Sequence, residues 1–188
     1  MKETHARHAV SLAVVLMVAG CATPPHPPGI PTGPESVSLQ AFSRNPFQSV
    51  TLPGSRMQRH EEAIKALGPP SATLTKDTPN AQDPTIIDSV ITLRYTFGEL
   101  LYLHVSGKDL ENLILIQLHG NQIALKYGIR FGETTREQIQ KLFGPAQHTE
   151  ANSLSYDVRY AQEMTNSTTF YFKDRVLIQV DIASLMMD

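Results

Sequence analysis

One short stretch of this chain occurs twice. HEEAIKALGPP at His60–Pro70 lines up with REQIQKLFGPA at Arg136–Ala146, which places Glu61 on Glu137, Lys65 on Lys141, Leu67 on Phe143, Gly68 on Gly144 and Pro69 on Pro145. Self-similarity at a fixed offset constrains a fold more than any composition does, because each copy is one supersecondary unit that needs its neighbour for a core. Both copies read as helices with marked ends. Ser55 with Gln58, and Thr134 with Glu137, have the spacing of a capping box, in which a hydroxyl takes an orphan amide and the polar side chain three residues on reaches back. Met57, Ala63, Ile64 and Leu67 share one face of the first helix, and Ile139, Leu142 and Phe143 one face of the second. Gly68 and Gly144 offer left-handed stops, and the prolines behind them cannot continue a helix.

The segments after the two helices are similar as well. Ser89–Phe97 is rich in β-branched and aromatic residues and reads as a strand. Leu100–Ser106 and Leu113–His119, joined by Gly107–Asn112, read as a hairpin. Pairing Val105 with Ile114, Leu103 with Ile116 and Leu101 with Leu118 gathers six aliphatics on the face that should hold the helix. Tyr102, His104, Gln117 and His119 then lie on the other face. In the second half, Ser153–Tyr160 matches the first strand, with Val158-Arg159-Tyr160 against Leu93-Arg94-Tyr95, and VLIQV at 176–180 echoes ILIQL at 114–118. The second hairpin pairs Phe172 with Val176, Phe170 with Ile178 and Thr168 with Val180, leaving Tyr171, Thr169, Leu177 and Gln179 on the far face. The expected fold class is α+β: two tandem helix-plus-three-strand repeats, about 57–119 and 133–183, forming a two-layer sandwich with the helices on one face of an antiparallel sheet. Residues 35–54 read as an irregular lead-in, 71–87 as a long loop, and Gln122–Lys126 as a short strand. The loop's Asp77, Asp83 and Asp88 lack the alternating oxygen ligands and glycine of a calcium loop, so they read as solvated.

The start of the chain reads as an address. Lys2 and Arg7 precede the apolar run Ala9–Ala19, which is shorter than the about 20 residues of an ordinary spanning helix. Val18-Ala19-Gly20-Cys21 comes next. Cys21 is the single cysteine of the chain, so no internal disulfide competes for it. Residues 22–34 hold six prolines and read as an extended tether, spanning roughly 40 Å at about 3.1 Å per residue, or as a spacer without preferred length. The domain reading is 1–20 signal peptide, 21–34 tether and 35–188 one folded domain.

Charge and motifs narrow the function classes. The whole chain carries a formal net charge of −2, and removal of residues 1–20 takes away Lys2, Arg7 and Glu3. A slightly acidic chain lacks the basic patch that nucleic acid needs. No G-x-S-x-G, H-E-x-x-H, P-loop or dinucleotide fingerprint is present, so no catalytic residue, cofactor or metal is expected. His104 and His119 share a face in the inferred register but lack further zinc ligands, and Glu61 and Glu137 suit the positive ends of helix dipoles.

The Val18–Cys21 sequence resembles the lipobox of bacterial lipoproteins. That resemblance implies cleavage before Cys21, diacylation of its thiol and acylation of its new amine. At about 0.8 kcal/mol per buried methylene, three chains anchor far more firmly than one. Ala22 stands where an aspartate often retains such proteins in the inner membrane, so the resemblance favours the outer membrane, facing the periplasm. Gly132, Thr134, Ile139, Leu142, Phe143, Gly144 and Pro145, with Phe170, Phe172 and Val176–Val180, are similar to the SmpA/OmlA (BamE-like) outer-membrane lipoproteins. The tandem arrangement resembles the β-lactamase inhibitor proteins. Both resemblances imply a non-catalytic module that binds a protein partner with its sheet. The leading expectation is an envelope assembly or scaffolding factor, and the alternative is an inhibitor or immunity lipoprotein that blocks an enzyme such as a cell-wall hydrolase. The expected partner surface is Tyr102, His104, Gln117, His119 and Tyr171, since tyrosine is enriched at interfaces.

Overall fold

The computed structural model describes residues 34–52, 59–80, 82–108, 110–161 and 164–186. The signal peptide, Cys21, the tether up to Gly33 and the Ser55–Gln58 cap lie outside the described residues. Among those described, a single eight-stranded antiparallel sheet dominates, in the order β1-β2-β3-β4-β8-β7-β6-β5. The strands are β1 (Ala72–Pro79), β2 (Ile87–Tyr95), β3 (Gly98–Val105), β4 (Leu110–Leu118), β5 (His148–Thr149), β6 (Ser153–Ala161), β7 (Met164–Lys173) and β8 (Val176–Met186). Three short helices accompany them: α1 (Pro34–Arg44), α2 (His60–Leu67) and α3 (Arg136–Phe143). This overturns the expectation of two helix-plus-three-strand repeats. The sheet has two more strands than expected, and a helix precedes the first echoed stretch.

Each difference has a local cause. β1 reads as a loop because ATLTKDTP shows no apolar alternation. As an edge strand it is exposed along nearly its whole length, so nothing selects for alternation, and its Lys76 and terminal Pro79 are residues tolerated at sheet edges. α1 opens at Pro34, whose fixed φ suits a first turn, and buries Leu39 and Phe42 against the sheet. The ring of Phe42 lies 5.5 Å from Phe143 of α3 and 5.8 Å from Phe170 of β7. Beside it the Ser43 and Thr168 hydroxyls share a buried 2.6 Å hydrogen bond. After α1 the chain runs along residues 124–126: Gln48 N donates to Ala124 O, and Lys126 N to Pro46 O. That pairing takes up the backbone of Gln122–Lys126, which forms an isolated bridge from Leu125 to Phe47 and no strand of its own.

Gly68 (φ 86°, ψ 177°) and Gly144 (φ 80°, ψ −169°) end the helices at positive φ as glycine allows, in an extended conformation and not the left-handed helical one expected, and their amides donate to Ile64 O and Gln140 O. Tyrosines of the sheet pin both stops, with Tyr95 Oη donating to Gly68 O and Tyr156 Oη to Gly144 O. The capping box of α3 sits one residue later than expected. Thr135 accepts from Gln138 N and its own amide donates to Gln138 Oε1, while the buried Thr134 hydroxyl accepts from Arg130 N.

Register is where the sequence reading and the structure part most sharply. Leu100 faces Ile116, Leu101 faces Leu115, and a bulge then sets Tyr102 against Leu113 and His104 against Glu111. The bulge and a shifted start invert β3: Leu100 and Tyr102 point into the core, while Leu101 and Leu103 point away from it. Gly98 fixes where this ladder begins, since a Cβ there would sit 2.0 Å from Gln117 O. In the second hairpin Phe170 faces Val180 and Thr168 faces Ile182. A bulge brings Phe172 to the buried Leu177, which therefore lies on the core face and not the far one.

Two variants test this architecture. Phe42→Ala should cost about 3–5 kcal/mol in urea unfolding, the range for a buried phenylalanine, whereas a loose lead-in would lose under about 0.5 kcal/mol. At the first turn of α3, the Glu137 carboxyl is held down to about 2 by its own backbone amide, the Arg175 guanidinium and the Thr135 hydroxyl. A depressed carboxyl contributes stability above its ordinary value of 4.5 and loses it as pH falls through about 2. Glu137→Gln should be less stable than wild type at neutral pH, and the gap should close over that acid window in denaturant titrations at stepped pH.

Candidate functional site

All three helices supply the buried cluster on one face of the sheet: Leu39 and Phe42 from α1, Ala63 from α2, Ile139 and Phe143 from α3. They meet Leu93, Leu100, Tyr102, Ile116, Leu118, Leu154, Tyr156, Phe170, Val180 and Ile182 from the strands. Residues that alternate with these strand positions line the opposite face, which no described helix covers. That face has two characters. On β2–β4 it carries the half-buried aliphatics Val90, Leu101, Leu103, Val105 and Leu115, with Val90 beside Leu103 and Leu101 beside Leu115, and with Thr92 and Asn112 set among them opposite Leu101 and Leu103. On β6–β8 it is polar, with Ser155, Asp157, Thr169, Tyr171, Gln179 and Asp181.

The two characters meet at the β4–β8 seam, around Asp181. Gln117 Nε2 donates to Asp181 Oδ1 at 3.2 Å, Gln179 Nε2 donates to the same oxygen at 2.9 Å, and the Asp181 charge acts on the nearby Tyr171 phenol. Burial, and then the Asp181 charge, push the Tyr171 phenol above its ordinary value. One carboxylate thus organises two amides and a phenol into a fixed polar patch bordering the aliphatic one.

Of the five sequence-predicted contact residues, the structure brings Gln117 and Tyr171 together here. His119 is exposed just past the end of β4. Tyr102 is a correction: it is fully buried on the helix-covered face and cannot touch a partner, because the β3 register places it opposite Leu113. His104 is a second correction of face, standing across from Glu111 on the helix side. Asp181, Leu101 and Leu103 escape the sequence reading. The first lies within an apolar run, and the simple hairpin register puts the other two in the core.

On the helix side a separate cluster forms where α2 meets the far end of β3 and β4. The Glu111 carboxylate accepts from His60 N at 2.7 Å and lies 3.0 and 3.2 Å from His60 Nδ1. His104 Nδ1 is 3.6 Å from Glu111 Oε1, and Glu61 Oε2 is 3.5 Å from His60 Nδ1. Burial alone would raise the Glu111 carboxyl; the His60 amide, the His60 imidazole and the charges of His60 and His104 outweigh it and hold the group below its ordinary value. The Asp77, Asp83 and Asp88 carboxylates do not converge on such a cluster. Asp88 is buried and accepts from Asn80 and from Ser106 N, Asp77 accepts from Ser89, and Asp83 from Thr85.

No protein-family model, curated protein or solved structure matches this chain.

The Asp181 patch makes a direct prediction. Asp181→Asn removes the negative charge facing Tyr171, so the Tyr171 phenol should titrate at lower pH than in wild type, while burial keeps it above its ordinary value. The difference between tyrosinate absorbance titrations of the two proteins reads this; superimposable curves would remove Asp181 from the organisation of the patch.

Proposed function

We propose that this chain is a non-catalytic lipoprotein of the bacterial outer membrane. Anchored through Cys21 and facing the periplasm, it binds a protein partner with the uncovered face of its sheet and serves as an envelope assembly or scaffolding factor. The observation that carries the reading is the group of aliphatics on that face, Val90, Leu101, Leu103, Val105 and Leu115, set beside the polar patch held by Asp181. Apolar side chains set among ordered polar groups are the composition of a protein interface. A sheet face is also rigid, so binding costs little ordering entropy.

The lipid anchor rests on the Val18–Cys21 sequence. Among the described residues no helix is long and apolar enough to cross a membrane, and an acylated Cys21 supplies membrane attachment without one. The slight net negative charge favours a protein partner over nucleic acid.

Pull-down from envelope extracts with the full-length acylated protein tests both parts. The wild type should retain a defined envelope protein. Leu103→Arg places an unpaired charge in the contact and should reduce recovery about tenfold or more, with the circular dichroism spectrum unchanged. Equal recovery by a folded Leu103→Arg protein would rule out the aliphatic face. Cys21→Ser should leave the protein unacylated and released from membranes; a membrane-bound, fully processed variant would rule out the anchor. The retained protein's identity separates the functional classes: a component of envelope assembly supports scaffolding, whereas an enzyme whose activity falls on binding overturns it in favour of an inhibitor.

A further inference from the structure

The cluster under α2 has the chemistry of a metal site. We propose that His60, Glu61 and Glu111 bind a divalent transition-metal ion of the zinc type, with His104 orienting the Glu111 carboxylate. The three side chains place one donor atom each within 4.8 Å of one another. Glu111 Oε2 is 3.0 Å and Glu61 Oε2 3.5 Å from His60 Nδ1. In a tetrahedral zinc site with ligand bonds of about 2.0–2.1 Å, neighbouring donor atoms stand about 3.3 Å apart. The observed spacings bracket that edge.

Imidazole nitrogen with carboxylate oxygen suits zinc and its first-row neighbours and disfavours magnesium, which prefers an all-oxygen octahedron. Two further observations single this place out. His104 Nδ1 is buried without a hydrogen-bond partner, 3.6 Å from Glu111 Oε1, where it can donate to a ligating carboxylate. The Tyr102 hydroxyl is also buried and unpartnered, on a ring lying edge-on to His60 at 6.3 Å. Orphaned buried polar atoms are costly, and both of these belong to side chains that adjoin the donor set, His104 next to Glu111 and the Tyr102 ring next to His60. Glu61, on the exposed first turn of α2, leaves the cluster open to solvent for ion entry.

The ion would tie the first turn of α2 to β4. It lies on the helix-covered face, away from the proposed partner surface.

The test is competition for zinc between a chromophoric chelator and untagged full-length protein, stripped of metal and held in detergent at neutral pH. Wild type should bind one equivalent with micromolar or tighter affinity, and zinc, but not magnesium, should raise its unfolding midpoint. His60→Ala should weaken binding about 100-fold or more, and His104→Ala about 10-fold, as loss of a carboxylate-orienting group does. His148→Ala, an exposed histidine elsewhere, should bind as wild type does. If His60→Ala fails to fold, the exposed Glu61→Gln takes its place and should weaken binding about 10-fold. Absence of saturable zinc binding overturns the proposal, as does binding untouched by the cluster variants or lost equally in His148→Ala.

Discussion

The two four-stranded halves of the sheet meet along four residue pairs, Leu115–Leu118 of β4 against Ala183–Val180 of β8. The rest of the architecture depends on that seam. On one face it sets Ile116 and Leu118 beside Ile182 and Val180, so the two halves share one buried cluster and neither has to build a core alone. On the other face it puts Gln117 beside Asp181, which makes the polar patch possible. A slip of one residue would exchange the faces, placing amides in the core and aliphatics in water.

The described helices all pack on one face. Their share of the cluster is small residue by residue, but the rings of Phe42, Phe143, Phe170 and Tyr156 interlock across α1, α3, β6 and β7. The sheet returns the contact through Tyr95 and Tyr156, whose hydroxyls satisfy the carbonyls of the glycines ending α2 and α3. These two glycines terminate helices and also accept the sheet's hydrogen bonds, which is why they stand out in the sequence.

The features legible in the sequence are those with a local chemical cause. Gly68 and Gly144 stop helices because a positive φ is needed there, and the hairpin strands are apolar enough to be recognised. The faces of β3 are not legible, because LLYLHV carries bulky residues at every position and alternation cannot choose between them. Two bulges, opposite Leu101–Tyr102 and Tyr171–Phe172, add residues that no periodicity records. Tyr102 reads as a residue of the open face because the simple hairpin register puts Leu101 and Leu103 in the core, yet the core holds Tyr102 without giving its hydroxyl a partner. The histidine–glutamate cluster is hidden for the same reason: only the bulged register sets His104 against Glu111, and only the entry of α2 brings His60 to Glu111. α1 offers a weak apolar period, with Leu39 and Phe42 as its buried pair.

The order of strands carries a kinetic consequence. From β1 to β4 and from β5 to β8, neighbours in the chain are neighbours in the sheet, so each half can zip from local hairpins with short loops to close. Among the named strands, β4 with β8 is the one pairing of distant segments. Loop-closure entropy grows only with the logarithm of loop length, and the topology confines non-local pairing between the named strands to this one seam. A sheet of this strand order therefore needs fewer long-range strand pairings than a sandwich of interleaved strands would.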